Sequence, residues 1–430
     1  MQLIDLVHTF DAVRATRSRR AKVTAVAAAL REAGTEEVPV VASYLGGSLT
    51  QRRTGVGWRS MVDLAPPAPV PTLTVLEVDL AFAEIAMVFG AGSQAERRRQ
   101  LDALFGAATA DEQQLLRGLV TGEVRTGALE GVLVEGIAAA FEIASPVVRR
   151  AVMLAGSAPF AAGVAAAEGA EGLAAIGLEV GRPVQPMLAG SAPDLAAALE
   201  TTGLPCLVDG KLDGIRIQVH RAGEEVSVWS RTLDELTGRF PELLALVRSL
   251  PGGPFVLDGE ALLVGDDGRP RSFQETASRS MTVAGSPLVM TPCFFDVLHL
   301  EGRDLLDAPA SERSEALARL VPKAYVVPRL LASTAEEAEA FQARVLAEGH
   351  EGVVVKALGS TWEAGRRGSG WVKVKPRHTL DLVVLAVEWG SGRRRGLLSN
   401  IHLGARDPTG GFVMLGKTFK GMTDEMLAWQ

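Results

Sequence analysis

The spacing of apolar positions along the first 195 residues is typical of helices. It is clearest over residues 19–33 and 129–155, which are rich in Ala, Leu, Val and Glu. Glycines interrupt the pattern, and the proline-rich stretch at 66–71 indicates an internal linker. We therefore predict an all-α N-terminal domain over residues 1–195.

The pattern changes near residue 180, where residues 181–189 read as an extended connector. Residues 215–220 and 226–229 then alternate with period two, and the turn sequence between them predicts a β-hairpin. Further strands are expected at 255–257, 293–297, 352–355 and 371–374, and helices at 240–250, 311–320 and 335–347. This mixture predicts an α+β domain with antiparallel sheets over residues 196–377.

The last region, residues 378–430, consists of short strands and turns. Strands are expected at 382–388, 401–404 and 411–415, followed by a helix at 423–429. This pattern predicts part of a small β-barrel, because the sequence reaches Gln430 before five strands are complete.

Composition narrows the choice of compartment and partner. The chain of 430 residues has only two cysteines, Cys206 and Cys293, which excludes a disulfide framework and a four-cysteine zinc module. Acidic residues interrupt its apolar stretches, so we expect no membrane span. The N-terminus lacks the layout of a signal peptide. A reduced, cytoplasmic location is therefore expected, with nucleoid association in a bacterium.

The charge is unevenly distributed. The net charge is −7, yet residues 356–430 contain 12 basic and 6 acidic residues, which favours contact with phosphates. Only eight of the 44 basic residues are lysines. Because a guanidinium stays protonated and cannot act as an amine nucleophile, each lysine is a candidate for a specific role.

One lysine lies in a short charged sequence, Lys211-Leu-Asp213-Gly214-Ile-Arg216. It falls between a strand-like segment at 206–209 and the strand that starts at Ile215, so its amine could project into a cleft. The glycine would allow a phosphate to approach the backbone, and Arg216 could pair with an anion. Taken alone, this sequence is equally compatible with an exposed turn.

Five further blocks follow in order along the chain. Asp258-Gly259-Glu260 is expected to end a strand, and the Glu351–Lys356 segment to start one. In the Trp371–Pro376 segment, Lys373 and Lys375 alternate and therefore face the same side of a strand. The other two blocks are Ser230-Arg231 with 238–242, and the segment at 293–298 that contains Phe295.

Together these blocks resemble the nucleotidyltransferase motifs of ATP-dependent DNA ligases with an N-terminal helical DNA-binding domain. The resemblance is strongest from Asp209 to Pro376. In the helical region, three segments are similar to that domain's DNA-facing turns: Tyr44-Leu-Gly-Gly, Gly55-Val-Gly57 and 122–127.

The resemblance implies a role for each candidate residue. Lys211 would attack the α-phosphate of ATP and carry AMP, and positive neighbours such as Lys373 and Lys375 would lower its pKa. Glu260 and Glu351 would bind Mg²⁺, with Mn²⁺ as an alternative. Asp213, Lys356 and Trp371 would complete the active site. Contacts with ATP or AMP are implied for Asp209, Arg216, Arg231, Glu260, Phe295, Arg367, Lys373 and Lys375.

The implied reaction has three steps. Lys211 takes AMP from ATP, AMP passes to the 5′-phosphate of a nick, and the 3′-hydroxyl then displaces AMP. Asp213, Arg216 and Arg231 would orient the phosphates of nicked duplex DNA, and Phe295 and Asp209 would contact the adenine. We expect a monomer.

Two departures from the family pattern are visible. Gly210 replaces the aromatic residue that usually precedes the nucleophilic lysine, which predicts a looser pocket wall. The final basic motif of the β-barrel is also missing. From this we expect that the natural protein continues past Gln430 and that self-adenylation by the present chain is impaired.

Other classes of protein remain alternatives on the sequence. An RNA ligase or an mRNA-capping guanylyltransferase would share the lysine motif, although the helical region and the Ser230-Arg231 block favour DNA. A ligase that uses NAD⁺ normally carries a four-cysteine zinc module, which the two cysteines of this chain exclude. A non-catalytic DNA-end-binding protein on the same scaffold would not need an intact Lys211.

Overall fold

The computed structural model describes residues 1–51, 54–124, 129–265, 268–281, 289–363, 367–376, 379–390, 394–419 and 421–429. They form two compact units, Met1–Lys375 and Pro376–Gln430. The domain boundaries expected after residues 195 and 377 stay predictions.

Helices make up the first part of the larger unit, and side-chain caps fix several of their starts. At α4, Thr74 accepts a hydrogen bond from the Glu77 amide while the Glu77 side chain accepts one from the Thr74 amide. The described helices are α1 (Leu3–Arg14), α2 (Arg19–Glu32), α3 (Val38–Leu45), α4 (Val75–Ala86), α5 (Ser93–Ala107), α6 (Ala110–Thr121), α7 (Leu129–Ala140), α8 (Ser145–Ala155) and α9 (Ala158–Ala175).

The helical pattern at 129–155 is divided between two helices, α7 and α8. The chain leaves α7 after Ala140, and Glu142 adopts a left-handed conformation with φ of 54°. Pro146 then occupies the first turn of α8, where its missing amide hydrogen costs nothing. Helix α7 packs closely on α2, since a β-carbon on Gly136 would lie 2.4 Å from Val26 Cγ1.

The second part of the larger unit contains both strands and helices. Its elements are β1 (Leu188–Ser191), α10 (Leu195–Thr202), β2 (Cys206–Lys211), β3 (Ile215–Ala222), β4 (Glu225–Ser230), α11 (Pro241–Ser249), β5 (Phe255–Leu263), α12 (Phe273–Met281), β6 (Met290–Leu300), β7 (Arg303–Asp304), α13 (Ala310–Leu320), β8 (Arg329–Ala332), α14 (Ala335–Ala347), β9 (Gly352–Ala357) and β10 (Arg367–Val374).

Two five-stranded sheets organise these elements. Their strand orders are β1-β10-β9-β2-β8 and β4-β3-β5-β6-β7. All neighbouring strands are antiparallel except β1 and β10, which pair in parallel. The chain passes from the first sheet to the second between Lys211 at the end of β2 and Ile215 at the start of β3. The predicted α+β architecture is confirmed.

Some local predictions were wrong. Asp258-Gly259-Glu260 does not end a strand, because β5 continues to Leu263 and Glu260 pairs with Arg216 on β3. Two helices, α10 and α12, were not predicted. Strand β5 is buried along nearly its whole length, so it lacks the polar alternation by which a half-buried strand is recognised.

The smaller unit contains a three-stranded antiparallel sheet and a short helix. The strands are β11 (Val383–Trp389), β12 (Leu398–Arg406) and β13 (Phe412–Thr418), and the helix is α15 (Asp424–Trp429). Glu388 on β11 accepts hydrogen bonds from His402 on β12 at 2.9 Å and from Lys417 on β13 at 3.0 Å. This sheet agrees with the predicted partial β-barrel. Within the described ranges of the chain, none of the helices has the length and apolarity needed to cross a membrane.

Candidate active site

Lys211 stands where the chain crosses from one sheet to the other. As the last residue of β2, it pairs with Gly352 on β9, and its carbonyl accepts a hydrogen bond from the Glu351 amide at 3.0 Å. Its side chain is 22% exposed. The amine therefore reaches a cavity while its backbone is fixed by the sheet.

Gly214, in the turn after Lys211, lies very close to β5. A β-carbon at this position would lie 2.4 Å from Leu262 Cδ2 and 2.5 Å from the Ala261 carbonyl oxygen. Its amide donates to Glu260 Oε1 at 2.9 Å. The glycine is thus required for the approach of β5, in addition to any room it leaves for a phosphate.

Glu351 precedes β9 and joins two of the predicted lysines. Its carboxylate accepts hydrogen bonds from both Lys211 and Lys375. The three side chains are 22%, 42% and 24% exposed for Lys211, Lys375 and Glu351, so the cluster is only partly screened by water. Lys211 at the end of β2 and Lys375 directly after β10 therefore meet on one acid.

The pKa of the Lys211 amine is lowered from its ordinary value. Burial is the main cause, and the charge of Arg231 adds to it, while Glu260 and Asp213 oppose it. The sequence predicted a lowering by the positive neighbours Lys373 and Lys375, whereas burial is the largest cause. Burial disfavours the ammonium form and so increases the fraction of amine with a free lone pair.

Glu260 is the second acid beside Lys211. Burial raises the pKa of its carboxyl group, while the hydrogen bond from Gly214 and the charges of Lys211 and Arg216 oppose that rise. Among the described residues, no group of three or more His, Cys, Asp or Glu side chains is arranged to hold a metal by itself. Two carboxylates, Glu260 and Glu351, still fit Mg²⁺, which commonly takes one or two protein carboxylates and completes its shell with substrate phosphates and water.

Arg216 on β3 forms a paired contact with an acid that sequence reasoning did not single out. Its Nε and Nη2 donate to the two oxygens of Asp258 at 3.0 and 2.7 Å, and Nη1 donates to the Met187 carbonyl at 2.6 Å. The guanidinium also lies 5.4 Å from the centre of the Phe295 ring. Arg216 therefore joins β3 to β5 and to the segment before β1, which fixes this wall of the cavity.

Asp209 on β2 is 2% exposed and binds two cations. Arg329 Nε and Nη2 donate to its two carboxylate oxygens at 2.5 and 2.7 Å, and Lys356 Nζ lies 2.8 Å from Oδ2. Burial alone would raise the pKa of Asp209, but the charges of Arg329 and Lys356 hold it below its ordinary value. Arg329 was missed because nothing near it in the sequence marks it as part of a site.

Two aromatic rings line the same region. Phe295 on β6 and Trp371 on β10 meet edge to face, with ring centres 5.9 Å apart. Lys356 Nζ lies 4.1 Å from the centre of the Trp371 ring and 5.1 Å from that of Phe295. The arrangement supplies an apolar wall beside a strongly charged one.

These residues surround one cavity of about 360 Å³. Its lining includes every predicted site residue except Arg367, whose side chain lies outside the described residues. The predicted residues that line it are Asp209, Lys211, Asp213, Arg216, Arg231, Glu260, Phe295, Glu351, Lys356, Trp371, Lys373 and Lys375. Lining residues that sequence reasoning missed include Met187, Leu188, Ala189, Phe273, Val327 and Val354.

A second cavity, of about 1,010 Å³, lies in the helical part. Turns containing Gly47, Gly55 and Gly122 line it, together with Thr232 and Asp234 from the turn after Arg231. Three of the turns predicted to face DNA are therefore gathered at one groove. Arg125 and Gly127 of the last turn, as well as Arg52 and Arg53, lie outside the described residues.

The comparisons with known proteins agree with this geometry. The model of the ATP dependent DNA ligase domain matches residues 186–375, and that of the DNA ligase N terminus matches residues 63–138. A Probable DNA ligase of Nocardioides sp. is 60% identical over all of this chain and 85% of its own length. The chain belongs to the ATP-dependent DNA ligase family.

Other relatives of this ligase chain support the same assignment. A Probable DNA ligase of Streptomyces griseus subsp. griseus is 53% identical over all of this chain and 86% of its own length. The solved structure Pmar-Lig_PreS3 superposes with a TM-score of 0.63 at 16% identity, over 98% of this chain and 89% of that one, which shows the shared fold. The predicted family, fold class and enzyme class are confirmed. The chain is an ATP-dependent DNA ligase, which joins DNA through adenylated intermediates.

Proposed function

We propose that Lys211 is the residue that carries AMP and that the 360 Å³ cavity binds ATP. The observation that carries this proposal is the Lys211 amine itself, which lines the cavity, is largely buried and has a lowered pKa. Its lone pair attacks the α-phosphorus, forming an N–P bond as the bond to pyrophosphate breaks. Lys373 and Lys375 line the same cavity and offset the charge of the phosphates.

The base would occupy the end of the cavity formed by Asp209, Phe295 and Trp371. The Phe295 ring offers a face for stacking, and Asp209 offers a carboxylate that accepts a hydrogen bond from the exocyclic amine of adenine. Lys356 and Arg216 support this end through their contacts with Asp209 and Asp258. We infer a role in the shape of the cavity for Arg216, beyond the phosphate contact expected from the sequence.

Mg²⁺ is the proposed metal, held by Glu260 and Glu351 together with the phosphates; Mn²⁺ is an alternative. When bound, it would offset negative charge on the reacting phosphate. Glu351 also accepts hydrogen bonds from Lys211 and Lys375, so it positions the Lys211 amine next to the cavity. Asp213 and Arg231 line the cavity on the side of the turn and would orient phosphates.

Nicked duplex DNA is the proposed substrate, and the groove of the helical part its binding surface. The groove contains backbone turns and hydroxyl side chains such as Ser48, Thr50 and Thr121, which contact phosphates without reading bases. Arg231 lines the nucleotide cavity, while its neighbour Thr232 lines the groove. We further propose that the chain acts as a monomer in the cytoplasm, where DNA is available.

Labelling of the whole chain tests the proposed site. The protein is incubated with ATP or GTP labelled at the α-phosphate, denatured, separated on a gel and digested to locate the label. Acid-labile label from ATP on the peptide containing Lys211 supports the proposal. Label from GTP at a similar rate would contradict the proposed adenine contacts, and no label from either nucleotide would contradict the proposed role of Lys211.

Binding of nicked duplex by the whole chain tests the groove. Affinity is measured at several salt concentrations on two unrelated sequences of equal length. We expect affinity to fall steeply with salt and to be the same for both sequences, since phosphate contacts release counterions and carry no sequence information. Binding that ignores salt, or that depends on the sequence, would contradict the assignment.

A further inference from the structure

Arg329 is the most heavily engaged cation near the base-binding end of the cavity. Its guanidinium donates two hydrogen bonds to Asp209, one to Ser314 Oγ at 2.8 Å and one to the Phe295 carbonyl at 2.7 Å. The side chain is 13% exposed. Arg329 thus joins β8 of the first sheet to β6 of the second and to α13.

Lys356 makes a parallel set of contacts from β9. Its amine bonds to Asp209 Oδ2 and donates to the Phe295 carbonyl at 3.1 Å. The two residues proposed to contact adenine, Asp209 and Phe295, are therefore both held by the same pair of cations. Neither residue can shift without breaking contacts to Arg329 and Lys356.

The contacts of Asp209 leave one of its hydrogen-bond acceptor positions unused. A carboxylate has about four acceptor positions, and it has no donor while it is ionised. In the described contacts, Arg329 uses one position on Oδ1, and Arg329 and Lys356 together use two on Oδ2. The remaining capacity, on Oδ1, suits one N–H donor.

The unused acceptor position on Asp209 distinguishes purines by the group at their position 6. Adenine presents an amine there, which donates to an ionised carboxylate. Guanine and hypoxanthine present a carbonyl oxygen, which an ionised carboxylate repels but a protonated carboxyl group could bind as a donor. Selection of adenine at this end therefore requires Asp209 to stay ionised although it is buried.

We propose that Arg329 is a positioning residue that makes the ligase specific for ATP by keeping Asp209 an ionised, acceptor-only group. This inference rests on the proposed placement of adenine beside Asp209 and Phe295. Arg329 itself does not line the cavity, so it acts through Asp209 and does not contact the nucleotide.

The charged groups around Asp209 set the direction of the expected pH effect. Arg329 faces it from β8 and Lys356 from β9. Asp296 on β6 interacts with both cations and is itself paired with Arg313 of α13. Removing Arg329 leaves Lys356 as the single cation on Asp209, so the pKa of Asp209 rises because burial is then less offset. Its protonated fraction should increase as the pH falls.

The test compares ATP with inosine triphosphate, which carries hypoxanthine. Formation of the labelled lysyl adduct by the full chain is followed from pH 8 to pH 5.5 for wild type, Arg329→Gln, Arg329→Met and Arg329→Lys. We expect the wild-type preference for ATP to stay constant with pH. For Arg329→Gln and Arg329→Met, the rate of adduct formation with ATP divided by the rate with inosine triphosphate should fall by about tenfold or more toward low pH. Arg329→Lys, which keeps the charge, should restore most of the preference.

A matched control is Arg319→Gln on α13, where the side chain is 70% exposed; its ratio should equal that of wild type. Equal losses of activity with both nucleotides in the Arg329 variants, at an unchanged ratio, would mean that Arg329 only maintains the fold and would overturn the proposal. A preference for ATP that falls below the wild-type value by the same factor at every pH would also overturn the proposal. If Arg329→Met does not fold, as judged by thermal melting, the Gln and Lys variants decide. Absence of any wild-type label from ATP would instead contradict the proposed role of Lys211.

Discussion

Lys211 donates a hydrogen bond to Glu351, a residue 140 positions further along the chain. The two residues come together because β2 and β9 are neighbours in the first sheet, with Lys211 paired to Gly352. The proposed nucleophile is therefore held by an acid that directly precedes the adjacent strand.

Replacement of the proposed nucleophile gives the most direct prediction. Lys211→Arg should abolish labelling by ATP while the protein still folds, because arginine keeps the charge and the partner Glu351 but offers no free amine. Labelling is followed on a denaturing gel, and folding by circular dichroism. Labelling at the wild-type rate in this variant would rule out Lys211 as the carrier of AMP.

Replacement of the two acids tests the proposed metal site. Glu260→Gln and Glu351→Gln keep the size of each side chain and remove its charge, so strand joining at limiting Mg²⁺ should fall by about 100-fold or more. Glu315→Gln, on a side chain that is 73% exposed, is the control and should behave as wild type. Activity near the wild-type value in either active-site variant would exclude that acid as a ligand.

Gly214 offers a test of the close packing beside Lys211. In Gly214→Ala the new β-carbon would overlap Leu262 and the Ala261 carbonyl, so the turn has to move. We expect a loss of stability of about 1–3 kcal/mol together with slower labelling of Lys211. Gly238→Ala is the control, since no atom lies within 4 Å of a β-carbon there. Unchanged stability and labelling in Gly214→Ala would show that β5 does not approach as described.

Helix α13 carries two arginines in contrasting surroundings. Arg313 is fully buried and binds Asp296, whereas Arg319 is 70% exposed. Arg313→Met should therefore destabilise the protein by about 3–5 kcal/mol, because it leaves the Asp296 charge buried without its partner. Arg319→Met should change stability by less than about 0.5 kcal/mol. Urea unfolding of both variants provides the measurement, and similar values for the two would contradict the burial of Arg313.

His220 predicts a pH dependence of stability. Its ring accepts from the Gly181 amide through Nδ1 and contacts Gln218 Oε1 through Nε2, which requires the neutral tautomer with hydrogen on Nε2. Burial, with a smaller effect from His299, lowers the pKa of His220 to about 4. The unfolded chain therefore binds this proton first, so stability from His220 is present above pH 6.5 and is lost as the pH falls toward 4.

The size of that loss follows from the pKa difference and is about 3 kcal/mol at most. Stability is measured by urea unfolding between pH 7 and pH 4.5. His220→Gln should lose less stability over this range than wild type, although other groups titrate in both proteins. Parallel curves for the two proteins would mean that His220 is not buried as a neutral group.

The sequence predicted the site better than the scaffold around it. Lys211, Glu260 and Lys375 lie in short, unusual combinations of charged residues, and each was found to line the cavity. Arg329 was missed, because a single arginine in a strand has no local signature and gains its meaning only from a partner far away in the chain. Asp258 lies in one of the quoted blocks, but its pairing with Arg216 was not predicted.

The same limit applies to secondary structure. Alternation of apolar and polar residues identified β3 and β4, although the polar residues of β3 are buried as well. Helical spacing located α14 at its observed bounds. The full extent of β5 was not predicted, because burial on both faces removes its alternation. Strand β1 was taken for part of a connector, since a parallel pairing with β10 is not encoded within four residues.

Strand β1 and the residues before it connect the helical part of the enzyme to the nucleotide cavity. The segment that leaves the helices supplies Met187, Leu188 and Ala189 to the wall of the nucleotide cavity, and the Met187 carbonyl anchors Arg216. The segment between the two parts therefore forms part of the cavity wall and is more than a flexible linker. A chimera that exchanges helical regions between relatives should therefore be joined before residue 184, because the Val184 amide already donates a hydrogen bond to a side chain of β3.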